Sequence, residues 1–176
     1  MKRAQLEHII RAAGAIADSE DLVVIESQAI LGQFPNAPEE LLVSNEADVF
    51  PRANPAGRDL IDGSIGEDSP FHRAFGYYAH GVDETTAVLP EGWRDRLVLV
   101  ENENTRHVRG WCLEVHDLAI AKYAAGREKD LEFTGALARH TMVRRGILLE
   151  RLVGTLLDAG AKDRIAARIG RDFGHS

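Results

Sequence analysis

The sequence has little cysteine, no long apolar run and no excess of positive charge, and each absence excludes a class of protein. Its single cysteine, Cys112, excludes an internal disulfide and a cysteine-rich zinc site. No stretch approaches the roughly 20 apolar residues that a membrane-spanning helix requires. The formal net charge of -7 gives no overall electrostatic footprint for nucleic acid. Residues 1–7 are polar and helical in pattern, unlike a secretory signal, so we expect a cytoplasmic protein without a membrane partner.

Signature motifs of several enzyme classes are also absent. The histidines do not gather at metal-binding spacing, so a zinc site is not expected. They include His72, His80, His107, His116 and His140. Neither the Gly-x-Ser-x-Gly motif of serine hydrolases nor the Gly-x-x-x-x-Gly-Lys-Ser/Thr motif of P-loop proteins occurs. The sequence therefore gives no support to a zinc enzyme, a serine hydrolase or a P-loop NTPase.

The composition is that of a folded globular protein. Hydrophobic residues make up 44% and charged residues 28% of the 176 residues, a length that suits one domain or one domain with a small appendage. Apolar residues recur at helical spacing over 3–17, and a short β-branched run at 22–25 predicts a buried strand. Two further runs, 97–101 and 108–113, predict an antiparallel hairpin.

From His116 onward the pattern is helical. Four helical stretches are separated by glycines and cover 117–125, 127–140, 143–158 and 160–171. We therefore predict an α+β core over 1–115, followed by a helical C-terminal region over 116–176 that packs on it. Arginines make the last helices locally basic, which predicts a solvated face or, alternatively, a face that meets RNA or an acidic partner.

Two carboxylates, Glu46 and Asp48, stand at the head of a predicted strand over 46–51. Residues i and i+2 of a strand project from the same face, so both acids point at one spot. Two like charges that close destabilise each other unless a cation neutralises them or one takes up a proton. Mg²⁺ prefers oxygen ligands, and the pair therefore predicts a magnesium site. The alternative is that the pair forms the solvent face of an edge strand.

A second constellation lies where the first strand runs into a helix opening, at Ile25-Glu26-Ser27-Gln28. Free backbone N–H groups and the positive end of a helix dipole can hold a phosphate there. The Ser27 hydroxyl can add a contact. A metal on the acidic strand could then bridge to the same phosphate, as nucleotidyl transfer requires.

Two stretches, Val23–Pro51 and Leu113–Asp130, resemble the minimal nucleotidyltransferase-like proteins of the polymerase-β superfamily, and in particular uncharacterised bacterial, phage-defence or toxin–antitoxin members. In that superfamily a strand ends in Gly-Gly or Gly-Ser before a helix, and a later strand carries an acid-x-acid pair. Glu26-Ser27 and Glu46-Ala47-Asp48 stand at these positions. The resemblance implies a small mixed sheet flanked by helices.

The resemblance also implies roles for individual residues. Glu46 and Asp48 would be catalytic and hold the metal, and Glu101 would be the third acid, with Glu103 and Glu114 as the next candidates. The nucleotide would be bound by Ser27, Gln28, Lys122 and Arg127, while Asp117, Lys129 and Asp130 also fall on motif positions. The alternative for Arg127, Lys129 and Asp130 is the solvated face of a helix.

The implied activity is Mg²⁺-dependent transfer of a nucleotide from an NTP to a hydroxyl on RNA, a protein or a small molecule. One departure opposes it: where the superfamily has glycine, this sequence has Glu26, whose carboxylate would repel a triphosphate. The alternative is a catalytically silent nucleotidyltransferase fold that acts by binding, in a toxin–antitoxin or defence system. A homo-oligomer or an operon-encoded partner would fit that alternative.

Overall fold

The computed structural model describes residues 1–174 and shows a five-stranded sheet with helices packed around it. The strands are β1 (Asp21–Ile25), β2 (Glu46–Pro51), β3 (Tyr78–Gly81), β4 (Val98–Val100) and β5 (Arg109–Cys112). The helices are α1 (Arg3–Ala17), α2 (Ile30–Gln33), α3 (Gly57–Ile65), α4 (Pro70–Phe75), α5 (Val115–Ala125), α6 (Glu128–Arg139), α7 (Arg145–Val153) and α8 (Ala159–Phe173). The predicted α+β class is confirmed.

The sheet is mixed, with the strand order β3-β2-β1-β5-β4. β1 runs antiparallel to β2 and parallel to β5, while β2 and β3 are parallel. The predicted hairpin is confirmed, since β4 and β5 pair antiparallel. In this register Asp48 of β2 stands between Ile25 of β1 and His80 of β3, which brings the ends of three strands to one place.

One part of the core lies between the sheet and α1, because both elements present apolar surfaces there. Residues 22–25 of β1 are buried, as a strand with apolar side chains on both faces requires. On α1, Leu6, Ile9 and Ile10 are fully buried at helical spacing. Gly110 of β5 lets α1 approach closely, because a Cβ there would lie 2.4 Å from the Cδ1 atom of Ile10.

The C-terminal helices surround α5. Residues 115–123 of this helix are buried without a break, so α5 has no solvent face along most of its length. It contacts α6, α7 and α8 on one side and the turn after β1 on the other. The division of the chain at residue 115 stays a prediction. Among the helices of residues 1–174, none has both the length and the apolar character needed to cross a bilayer.

An ion pair at the start of β1 leads to a stability prediction. The Asp21 carboxylate accepts hydrogen bonds from Arg109 Nε at 2.7 Å and from the Trp111 indole N–H at 2.6 Å. The hydrogen bond from Arg109 lowers the pKa of Asp21 to about 2, against the opposing effect of burial and with a further lowering by the bond from Trp111. Since Arg109 is 37% exposed, solvent screens the pair, and we expect Asp21→Asn to cost about 1 kcal/mol of unfolding free energy at pH 7.

The sign of the pH dependence follows from the lowered pKa. The folded state binds the Asp21 proton less tightly than the unfolded state, so the stabilisation is complete above about pH 4 and is lost as the pH falls towards 2. Urea unfolding of both proteins at pH 7 and pH 3 measures this. Glu20→Gln is the control, because Glu20 is 87% exposed and its carboxylate lies 3.6 Å from Arg109, farther away than that of Asp21. An Asp21→Asn effect that is equal at both pH values would contradict the assignment.

Candidate active site

A cavity of about 1080 Å³ opens between the ends of β1 and β2 and the helices α5 and α6. The turn after β1 contributes Glu26 and Ser27, and β2 contributes Glu46 and Asp48. Lys122 on α5 lies across from them. The structure therefore brings both predicted constellations, the acidic strand and the strand-to-helix junction, to one cavity.

The acid pair faces this cavity because of the two-residue period of a strand. Ala47 and Val49 are fully buried on the opposite face of β2, whereas the Asp48 side chain is 15% and the Glu46 side chain 34% exposed. Burial, followed by the negative charges of Glu46 and Glu26, raises the pKa of Asp48 to about 7. Full ionisation of the pair is thus unfavourable in the folded chain.

The third group beside the pair is His80, which sequence reasoning missed. Its Nδ1 atom lies 3.1 Å from Glu46 Oε1 and 3.2 Å from Asp48 Oδ1. One ligand atom from each of the three residues lies within 4.8 Å of the others. His80 lies on β3, and only the register of β3 against β2 places it opposite Asp48.

This donor set fits a divalent cation. Two carboxylate oxygens and an imidazole nitrogen converge from adjacent strands, and all three groups are ligands that divalent metals accept in proteins. A cation between them would also offset the repulsion that raises the pKa of Asp48. Glu46, Asp48 and His80 are therefore the residues that would hold a metal.

The structure places Glu101 away from the acid pair. Glu101 follows β4 at the far edge of the sheet, with β1 and β5 between β4 and β2, and its carboxylate lies 3.6 Å from His107 Nδ1. The other two candidates are also engaged elsewhere: Glu103 begins the 3-10 turn at Glu103–Thr105, and Glu114 caps α5 and contacts His116 Nδ1 at 2.7 Å. The side chain that lies beside the acid pair on the neighbouring strand is His80.

Glu26 has an unusual backbone. Its φ of 62° and ψ of -170° lie in a region that is essentially limited to glycine, at a cost on the order of 1–3 kcal/mol for another residue. The sequence departs from the superfamily at this position, yet the chain keeps the conformation that glycine would adopt. The surrounding structure must therefore hold Glu26 in place.

The contact that holds Glu26 is an ion pair with Lys122. The Lys122 side chain is 3% exposed, and its ammonium contacts the Glu26 carboxylate and, at 3.2 Å, Asp130 Oδ1. Asp130 in turn binds Arg127 Nε at 2.6 Å and caps the first turn of α6. Lys122 thus has two anionic partners within the chain, whereas Arg127 is 54% exposed at the cavity.

The remaining predicted residues differ in their surroundings. Ser27 lines the cavity, while Gln28 is 1% exposed and its amide has no hydrogen-bond partner in the described part of the chain. Ser27 opens a 3-10 turn of three residues, not a long helix, so the dipole there is small. Asp117 is buried and paired with Arg96 in two hydrogen bonds, of 2.8 and 3.0 Å.

Comparison with known proteins gives the family. A family model described as "Nucleotidyltransferase of unknown function (DUF6036)" matches residues 4–152. Neither a curated protein nor a solved structure matches the chain. The matched segment contains all five strands and α1 to α6, and with them the acid pair, Glu26, His80 and Lys122. Since this match covers most of the sequence, the chain belongs to this nucleotidyltransferase family, as its resemblance to the superfamily predicts.

Proposed function

We propose that this protein transfers a nucleotide from an NTP to a hydroxyl group, with a divalent cation held by Glu46 and Asp48. The observation that carries the proposal is the acid pair, which faces a cavity large enough for a nucleotide. Burial and mutual repulsion raise the pKa of Asp48, so the pair favours a cation. The sequence predicts Mg²⁺ for this position.

In the proposed reaction the acceptor oxygen bonds to the α-phosphorus, the bond from that phosphorus to pyrophosphate breaks, and the hydroxyl proton leaves to water. A divalent cation, when bound, would neutralise charge on the phosphates. Glu46 and Asp48 would orient it, and Ser27 would offer a hydroxyl at the opening of the turn. Arg127 would present its exposed guanidinium to the phosphates.

The experiment is a titration of the full chain with ATP, GTP, CTP and UTP, with and without Mg²⁺ or Mn²⁺, by isothermal calorimetry. We expect binding of at least one NTP that requires the metal. Incubation with NTPs labelled at the α-phosphate, together with RNA, protein or small-molecule hydroxyl acceptors, then tests transfer. The absence of metal-dependent binding for all four NTPs would overturn the proposal.

A second candidate, a catalytically silent fold that acts by binding, is favoured by one observation. The Glu26 carboxylate is paired with the buried ammonium of Lys122 at the cavity, so a phosphate must compete with Glu26 for this lysine. In this alternative the protein works through a partner chain, as in toxin–antitoxin or defence systems, or as a homo-oligomer. It would bind NTPs weakly or not at all.

Substitution of Glu26 separates the two candidates. We expect Glu26→Gly to raise NTP affinity by about tenfold or more, because it frees Lys122 to contact the phosphates and removes a repelling carboxylate. A hydrogen bond to a charged group typically contributes about 1.5–3 kcal/mol. Glu26→Gln is the matched control, since it removes the charge but keeps the strained side chain. Transfer by the wild type supports the enzyme, whereas NTP binding that appears only in Glu26→Gly supports the silent fold. Unchanged binding in both variants would refute competition by Glu26.

A further inference from the structure

We propose that His80 is the third ligand of the metal and that this site selects a first-row transition cation, such as Mn²⁺, over Mg²⁺. The inference rests on the proposed function only in that Glu46 and Asp48 hold a metal. It differs from the magnesium prediction because the sequence alone shows two oxygen donors, whereas the structure adds a nitrogen donor at the same point.

The spacing of the donor atoms supports this assignment. One atom, His80 Nδ1, lies 3.1 Å from Glu46 Oε1 and 3.2 Å from Asp48 Oδ1. Neighbouring ligands of an octahedral ion with bonds of 2.0–2.2 Å are about 3 Å apart. His80 Nδ1 therefore stands at the separation from each carboxylate oxygen that neighbouring ligands of one ion would have.

A second carboxylate stands behind the imidazole. His80 Nε2, the nitrogen that faces away from the acid pair, lies 4.0 Å from Asp62 Oδ1 on α3. Histidine ligands commonly donate their other ring N–H to a carboxylate, which fixes the tautomer and the ring orientation. Asp62 is in position to do this with a small side-chain adjustment, and it would leave Nδ1 free to bind a metal.

The packing of α3 on β3 holds these two residues together. Gly81, next to His80, lies so close to α3 that a Cβ atom there would come within 2.0 Å of the Arg58 carbonyl oxygen. The strand and the helix therefore meet at backbone distance beside His80. This contact fixes the position of Asp62 on α3 relative to the imidazole.

Donor chemistry then decides between metals. Mg²⁺ prefers oxygen ligands and loses its bound water reluctantly. Transition ions bind an imidazole nitrogen better than Mg²⁺ does, and among them Zn²⁺ binds it better than Mn²⁺. A site with two carboxylates and one histidine thus favours transition ions more strongly than a site with three carboxylates. The competing explanation is that a protonated His80 replaces the metal as the countercharge of the acid pair, since hydrogen bonds have the same lengths.

Metal titration of the full chain distinguishes these explanations. Calorimetry with Mg²⁺, Mn²⁺ and Zn²⁺ would be run on the wild type, His80→Ala and His80→Asp, with Co²⁺ absorption as a spectroscopic readout of nitrogen ligation. His107→Ala is the matched control, because His107 also stands beside a glutamate but is 73% exposed at the other edge of the sheet. Thermal unfolding verifies that each variant is folded.

We expect His80→Ala to weaken Mn²⁺ binding by about tenfold or more, since the loss of even an outer-shell partner of a metal ligand typically costs about 10–100-fold in affinity. His80→Asp should reduce the preference for Mn²⁺ over Mg²⁺ and change the Co²⁺ spectrum, while His107→Ala leaves both unchanged. Metal binding that is equal or stronger in His80→Ala would overturn the inference alone and support the countercharge. Failure of the wild type to bind any of the three ions would overturn both the inference and the metal in the proposed function.

Discussion

Replacement of Asp48 by asparagine is expected to abolish metal-dependent NTP binding and, at the same time, to stabilise the metal-free protein at pH 8. Both effects have one cause. The Asp48 carboxylate is largely buried beside Glu46, and its charge is unfavourable in the folded chain unless a cation is bound. Asparagine keeps the shape of the side chain but removes the charge, so it removes both the metal ligand and the repulsion.

The magnitude follows from the pKa of Asp48, which rises from 3.8 to about 7. One pKa unit corresponds to about 1.4 kcal/mol, and after allowance for relaxation of the pair we expect Asp48→Asn to gain about 2 kcal/mol of unfolding free energy at pH 8. The metal affinity should fall by at least about a hundredfold, since a direct ligand contributes more than the outer-shell partners whose loss costs 10–100-fold.

The contribution of Asp48 to stability changes with pH in opposite directions with and without a bound metal. Because the pKa of Asp48 is raised, the folded metal-free chain binds this proton more tightly than the unfolded chain, and its stability falls as the pH rises from about 4 through 7. A metal requires the ionised carboxylate, so the stabilisation that it gives should increase over the same range. Melting temperatures of the wild type at pH 6 and pH 8, with and without Mn²⁺, measure both trends.

Asp59→Asn is the control for these measurements, because Asp59 is 85% exposed on α3 and lies outside the cavity lining. It should change neither the metal affinity nor the pH profile. If Asp48→Asn still bound metal as the wild type does, or if it were less stable than the wild type without metal at pH 8, the acid pair would not be the metal site.

Much of the fold is encoded in local patterns that can be read from the sequence. The apolar spacing of Leu6, Ile9 and Ile10 specifies α1 because it creates one buried stripe, and the structure places this helix at Arg3–Ala17. The two-residue period likewise places Glu46 and Asp48 on one face of β2. These features depend only on residues close in sequence.

The positions of His80 and Glu101 depend on contacts between segments that are distant in the sequence. His80 joins Asp48 through the pairing of β2 with β3, which are 32 residues apart at this point, and nothing in the local sequence of His80 indicates it. Glu101 was placed at the acid pair by analogy with other family members, but its strand lies at the opposite edge of the sheet. Strand order, unlike strand position, is not written in a local pattern.

Glu26 combines a feature that the sequence reveals with one that only the structure reveals. Its departure from the glycine of the superfamily is visible in the sequence. The structure shows that Glu26 and Lys122, which are 96 residues apart in the sequence, form an ion pair. It also shows that the glycine-like backbone persists with a glutamate side chain, which the sequence does not reveal.

The ion network around Lys122 leads to the second large effect. Lys122→Met is expected to destabilise the protein by about 3–5 kcal/mol, the range measured when one partner of a buried ion pair is removed. The Lys122 ammonium lies between the Glu26 and Asp130 carboxylates, and the Asp130 side chain is 1% exposed. Methionine fills a similar volume beside Phe133, so the loss reflects the uncompensated Glu26 charge and the weakened pairing of Asp130, and not a cavity.

A double substitution tests this cause. We expect Glu26→Gln combined with Lys122→Met to be more stable than Lys122→Met alone, because the amide removes the Glu26 charge that Lys122→Met leaves unpaired, while Asp130 keeps Arg127. Lys129→Met, an exposed lysine at the same cavity, should stay within about 0.5 kcal/mol of the wild type. Urea unfolding of the four proteins at pH 7 gives the free energies. Equal stability of the double variant and Lys122→Met would show that the unpaired Glu26 charge is not the cause of the loss.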